Sequence, residues 1–186
     1  MRKVTIALLS LGLVVAFAAP VFAGDLVAET FTYADGNLAG NGGWAVYSGV
    51  PPTDIQVAAG RAVGSHANAP DDHVLFPVRP TDAKTYACFN VRVTDPGGAP
   101  KAVYFALLKD AGSINFVSRT YVLPLISGGF TFGISHSSTS ATVGITPWSA
   151  SSLSYGVDYT IVINYDPVAK TSTLWVNPAT EASTNV

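Results

Sequence analysis

The acidic residues set the first limit on the chemistry of this chain. Glycoside hydrolysis needs two carboxyl groups, one acting as acid and the other as base or nucleophile. The sequence holds only two glutamates, Glu29 and Glu181. No two aspartates stand at positions i and i+2 within a stretch that predicts a strand. We therefore expect a protein that is not an enzyme.

The spacing of the serine, glycine and histidine residues disfavours a catalytic nucleophile and a transition-metal site. Residues 133–137 read Gly-Ile-Ser-His-Ser, which begins like a nucleophile elbow but lacks its second glycine. His66, His73 and His136 show none of the spacings typical of zinc ligands. We expect no required cofactor.

Calcium stays open as a ligand. Asp71, Asp72 and Asp110 lie in stretches that predict loops, and calcium is bound by carboxylate and carbonyl oxygens at such places. The competing interpretation is that these aspartates begin turns for their own hydrogen-bonding reasons.

Carbohydrate binding requires aromatic rings for the apolar faces of sugars and polar side chains for the hydroxyl groups. The candidates combine loop aromatics with polar residues on predicted strands: Trp148, Tyr47, Asn90, Arg92 and Arg119. Trp148 is the aromatic residue that we expect to be most exposed. Arg119 either lies in a concave sheet face or has a structural role. In the second case it pairs with an aspartate or packs on an aromatic ring.

Period-2 alternation of apolar residues runs through the chain and predicts strands rather than helices. In residues 85–94, one face carries Ala87, Phe89 and Val91, and the other carries Asn90 and Arg92. Residues 102–108 are apolar on both faces, which favours a central strand. The other predicted strands are 27–33, 44–47, 55–58, 61–63, 73–76, 116–123, 130–135, 159–165 and 171–177.

The first 23 residues predict a signal peptide, since Arg2 and Lys3 precede an apolar run and Ala23 ends a cleavage pattern. Residues 24–186 would then form a single domain. We expect this domain to be secreted, periplasmic or at the cell surface, with no membrane span after removal of the leader.

The formal net charge of −2 and the lack of a basic stripe exclude nucleic acid as an expected partner. Cys88 is the only cysteine, so no intrachain disulfide forms. We expect Cys88 to be a small apolar residue in a strand.

Several segments together resemble a known family. Residues 29–44 contain an acidic residue, two aromatics two apart, a Gly-x-Leu-like turn and Gly-Gly-Trp, while residues 159–167 and 174–178 read Tyr-Thr-Ile-Val-Ile-Asn-Tyr-Asp-Pro and Leu-Trp-Val-Asn-Pro. With residues 132–135, these segments resemble secreted bacterial concanavalin A-like lectin/glucanase (laminin-G-like) jelly-roll domains. The resemblance implies an all-β antiparallel sandwich with that topology.

The sequence departs from the pattern of this family in two respects. The glucanase branch carries a Glu-x-Asp-x-x-Glu pattern, which this chain lacks. The family usually adds a closing strand after the hairpin, but only eight residues follow Pro178, so we expect a fragment or an uncovered sheet edge. Two functions remain open: a non-catalytic module that binds glycan or an extracellular protein, or is a structural part of a larger one, and a carbohydrate-active enzyme of the same fold.

Overall fold

The computed structural model describes residues 27–48, 55–64, 71–77, 80–95, 97, 101–109, 115–136, 144–148 and 152–186. The predicted signal peptide and Asp110 lie outside these residues. Within them the chain is all-β, without helix, and every strand pairing is antiparallel. None of these residues forms a helix that would be suited to crossing a membrane.

Twelve strands occur in the described part of the chain. Their bounds are β1 (Gly36–Asn37), β2 (Ala45–Ser48), β3 (Gln56–Ala58), β4 (Arg61–Val63), β5 (Asp71–His73), β6 (Thr85–Arg92), β7 (Val103–Lys109), β8 (Phe116–Pro124), β9 (Phe130–Ser135), β10 (Thr146–Pro147), β11 (Asp158–Asp166) and β12 (Thr171–Val176).

The front sheet consists of three strands in the order β12–β11–β6. β11 and β12 form the predicted hairpin, in which Asp166 pairs with Thr171. The Asp166 carboxylate accepts hydrogen bonds from the amides of Val168 and Ala169 at 3.0 and 2.9 Å. These bonds close the turn and, together with Lys84, lower the pKa of Asp166 despite its partial desolvation.

The back sheet consists of four strands in the order β10–β9–β8–β7. The prediction that residues 102–108 form a central strand was wrong, because β7 lies at the edge of this sheet. Both of its faces are nevertheless in contact with other parts of the chain: the Phe105 ring meets Phe89 of the front sheet, and the Tyr104 hydroxyl lies 3.4 Å from the Asp71 carboxylate. Contact on both faces explains why this strand is apolar at both parities.

The core lies between the front and back sheets. Phe132 of β9 is fully buried and its ring centroid lies 5.9 Å from that of Tyr159 on β11. Ile161 and Ile163 of β11 and Leu174 of β12 complete the same cluster. Burying each such side chain contributes about 1.5–3 kcal/mol. Two sheets with a shared apolar interior are consistent with a β-sandwich.

Two small sheets complete the fold, β1–β3–β4 and the ribbon formed by β2 and β5. β5 spans Asp71–His73, so the predictions of a loop at Asp71 and Asp72 and of a strand over 73–76 were wrong. Pairing with β2 places these residues in the ribbon, with Ala45 opposite His73 and Ser48 opposite Asp71.

The segment after β12 returns to the front sheet. Val186 exchanges two backbone hydrogen bonds with Leu174, at 2.8 and 3.1 Å, and its side chain packs against the core. Val186 therefore covers the edge of β12 at this point.

Candidate functional site

The opening segment is organised by the carboxylate of Glu29 rather than by a strand. Glu29 accepts hydrogen bonds from the amide of Phe31 at 2.6 Å, from the Tyr33 hydroxyl at 2.9 Å and from the Trp44 indole at 2.8 Å. Partial burial disfavours the ionised form, but these hydrogen bonds outweigh it and hold the pKa of Glu29 below its usual 4.5. The predicted strand over 27–33 is absent because the side chain captures the backbone of Phe31, whose φ is 51°.

Gly42 allows this cluster to close. Its φ is 53°, and a Cβ placed there would overlap the Tyr33 hydroxyl and lie 3.2 Å from the Glu29 carboxylate. The close approach of Tyr33 and Glu29 therefore requires glycine at the first position of Gly-Gly-Trp.

Arg119 is buried in an aromatic cluster between the back sheet and the ribbon. Its guanidinium carbon is 4.9 Å from the Phe116 ring centroid and 5.6 Å from that of Tyr104. A bulge at Ser118, where φ is 50°, changes the register of β8 against β7 and puts Phe116 against Arg119. The second interpretation of Arg119, packing on an aromatic ring, is the observed one.

Tyr47 and Asp71 join this cluster from the ribbon. The Tyr47 ring lies 6.2 Å from Phe116, and Asp71 accepts a hydrogen bond from Ser48 at 2.8 Å. Burial raises the pKa of Tyr104, the negative charge of Asp71 raises it further, and the positive charge of Arg119 opposes both. Arg119 is only 8% exposed, so its position favours holding the ribbon on the sheet rather than contacting a ligand.

Asn90 and Arg92 lie elsewhere, on the outer face of the front sheet. This face is opposite to the core, since Ala87, Phe89 and Val91 of the same strand pack inward. Asn90 accepts a hydrogen bond from the Thr160 hydroxyl at 2.9 Å.

Arg92 and Arg61 both bind the carboxylate of Asp158 with two nitrogen atoms each. The hydrogen bond to Asp158 raises the pKa of Arg92, and the same bond lowers that of Asp158. This exposed cluster ties the β3–β4 hairpin to β6 and β11.

A cleft of about 250 Å³ opens on the same outer face. Val162 and Trp175 line it together with Tyr86 and Glu181, while residues 178–180 complete it. The Tyr86 hydroxyl donates a hydrogen bond to the Glu181 carboxylate at 2.8 Å, and the Trp175 indole donates to the Glu181 carbonyl at 3.1 Å. The bond to Glu181 and partial burial raise the pKa of Tyr86.

Sequence reasoning missed Tyr86 and Glu181 as candidate site residues. Tyr86 shares the parity of Asn90 and Arg92, so the alternation of β6 already placed it on their face. Nothing local indicates the position of Glu181, because its placement depends on the return of the chain over Trp175.

Trp148 is less exposed than the sequence predicted, whereas Cys88 lies in a strand, as predicted. Trp148 is half-buried against the core cluster, and its amide donates to the Phe132 carbonyl at 2.8 Å. A position beside β9 explains its burial. Cys88 is exposed in β6 because its parity is that of the outer face.

Ser172 and His136 form the closest approach to a nucleophile–base pair in the described ranges. Their Oγ and Nδ1 atoms are 3.3 Å apart, and Ser172 also lies 2.8 Å from the Ser118 hydroxyl. The His136 ring stacks on Tyr165, with centroids 5.7 Å apart. No carboxylate among the described residues orients this ring, so the pair lacks the third member of a triad.

Within the described part of the chain, no three histidine, cysteine or acidic side chains converge into a set that could hold a metal ion. The calcium assignment to Asp71, Asp72 and Asp110 stays a prediction.

Comparisons with known proteins found no matching family profile, no matching curated protein and no matching solved structure.

Proposed function

We propose that this protein is an exported, non-catalytic module that binds a carbohydrate chain on the outer face of its front sheet. The proposal includes a jelly roll of the concanavalin A or laminin-G type and a signal peptide over residues 1–23. Support for that topology comes from the resemblance of residues 29–44, which fold into the Glu29 cluster, and of residues 159–178, which contain the β11–β12 hairpin.

The observation that carries the proposal is an exposed aromatic ring in line with polar side chains. Tyr86 is 48% exposed and shares its strand face with Asn90 and Arg92. Arg92 lies six positions after Tyr86 along the extended strand, a span of about 20 Å. A sugar chain would stack one ring on Tyr86 and hydrogen-bond its hydroxyl groups to the polar residues.

The cleft is suited to bind the end of such a sugar chain. Sites for drug-sized ligands usually enclose about 300–1,000 Å³. At about 250 Å³, with Val162 and Trp175 in its lining, the cleft has the size for a single ring rather than a long branched ligand.

A glycan array with the purified exported protein, run with and without calcium, tests the proposal. We expect binding to a restricted set of glycans, lost on Tyr86→Ala and weakened on Asn90→Ala. Phe76→Ala is the matched control, because Phe76 is an exposed aromatic residue outside the front sheet and its loss should leave binding unchanged.

Binding that survives Tyr86→Ala would overturn the assignment of this face. Turnover of a polysaccharide would overturn the non-catalytic assignment in favour of the enzyme alternative. A requirement for calcium that Asp71→Asn or Asp72→Asn removes would identify the predicted calcium site.

A further inference from the structure

The charge of the cleft suggests which kind of sugar it takes. We propose that the cleft of Tyr86, Trp175 and Glu181 selects a sugar unit that carries a free ammonium group, an amino sugar without its acetyl group. This inference rests on the proposed function and names the ligand class of the same face.

Glu181 is the only charged side chain in the lining of the cleft. Asp158 and Asp166 of the described residues form ion pairs with arginine or lysine side chains, whereas Glu181 pairs with no cation in the described part of the chain. One Glu181 oxygen accepts the Tyr86 hydroxyl, at 2.8 Å. A carboxylate without a cationic partner, beside the exposed ring of Tyr86, is complementary to an ammonium group.

Glu181 is held in position before a ligand arrives. Its carbonyl is anchored by the Trp175 indole and its carboxylate by Tyr86. The segment that carries it is fixed by the Ser183 hydroxyl, which accepts hydrogen bonds from the amides of Ala179 and Thr180, both at 3.1 Å. Little conformational freedom remains to be lost on binding.

The remainder of the cleft suits a sugar ring rather than an isolated small cation. Val162 and Pro178 give it apolar surface beside the two aromatic residues. An amino sugar offers both an apolar ring face and an ammonium group, whereas an N-acetylated sugar offers only the first.

Calorimetric titration of the exported protein with two oligosaccharides of equal length tests this inference. One is a β-1,4-linked glucosamine oligomer at a pH where its ammonium groups are protonated, and the other is its N-acetylated counterpart. We expect the glucosamine oligomer to bind up to about fivefold more tightly, because an ion pair at an exposed carboxylate such as Glu181 contributes up to about 1 kcal/mol.

The variants assign that preference to one carboxylate. Glu181→Gln should abolish the preference while keeping the weaker affinity for the N-acetylated oligomer. Asp82→Asn, which removes an exposed carboxylate in the turn before β6, should leave it intact. Circular dichroism of each variant verifies that it is folded.

The other outcomes of these titrations each contradict the inference. Equal affinity for the two oligomers overturns the inference and leaves the proposed function standing. A preference that survives Glu181→Gln, or is lost equally with Asp82→Asn, reflects overall charge and overturns it as well. A lysine-rich peptide that binds through Glu181 as tightly as the amino sugar overturns the assignment of a sugar. If neither oligomer binds and the array shows no glycan, the inference and the proposed function fail together.

Discussion

At the scale of single residues, one carboxylate explains most of the opening motif. Glu29 joins Phe31, Tyr33 and Trp44, which are fifteen or fewer positions away along the chain. This carboxylate therefore holds together the aromatic residues of the opening segment, and these contacts stabilise the fold.

Replacing Glu29 with Gln should destabilise the protein by about 1–3 kcal/mol, because the hydrogen bonds lose their ionic acceptor. The pKa of Glu29 is lowered in the folded protein, so its contribution is complete above pH 4.5 and is lost as the pH falls through the lower folded value. Urea unfolding as a function of pH measures both effects. A wild-type protein that loses no more stability than Glu29→Gln on acidification would contradict this account.

Gly42 gives a prediction with a matched control. Gly42→Ala and Gly60→Ala both put an alanine at positive φ, which costs about 1–2 kcal/mol, but Gly60 has open space around its Cβ position. Gly42→Ala must also displace the Tyr33 hydroxyl from Glu29, so we expect its free energy of unfolding to fall further than that of Gly60→Ala. If urea unfolding showed equal losses of unfolding free energy for the two variants, the close contact between Gly42 and Tyr33 would not contribute to stability.

At the scale of elements, the core depends on contacts between the two large sheets. Phe132→Ala should lower the free energy of unfolding by about 3–5 kcal/mol, since it leaves a cavity between β9 and β11. Ile126→Ala should change it by no more than about 0.5 kcal/mol, because Ile126 is fully exposed. Chemical denaturation of the two variants measures the difference, and similar values would contradict the position of the core.

The edge of β12 gives a second prediction at this scale. Deleting Asn185 and Val186 removes the carbonyl that accepts the Leu174 amide at 2.8 Å. Hydrogen exchange at Leu174 should therefore accelerate, while exchange at Ile163 in the middle strand should not. Protection at Leu174 that survives the deletion would show that another group covers this edge.

Sequence patterns predicted the elements that depend on local alternation and turns. The strands β6, β8 and β9 and the β11–β12 hairpin follow from period-2 alternation and from Asp166 with Pro167. Sheet order could not be predicted in the same way, because the edge position of β7 depends on pairing between distant strands. The predicted opening strand is absent for another reason. The Phe31 amide donates its hydrogen bond to the Glu29 carboxylate instead of to a neighbouring strand.

At the scale of the whole molecule, the predicted site residues divide among three places. Arg119 and Asp71 lie in the aromatic cluster under the ribbon together with Tyr47, whose side chain stays 40% exposed, and Trp148 packs on the core. Asn90 and Arg92 remain on the outer face of the front sheet. Residue type alone cannot make this division, because an arginine or a tryptophan suits both a ligand site and a packed interior.

The most direct test of the central claim is an amide chemical-shift titration of the protein with the tightest-binding glycan from the array. The account predicts that the shifted resonances belong to β6, β11, β12 and residues 178–181, and that Tyr86→Ala removes the changes. Shifts confined to the ribbon and β8 would contradict it, as would the absence of any shift.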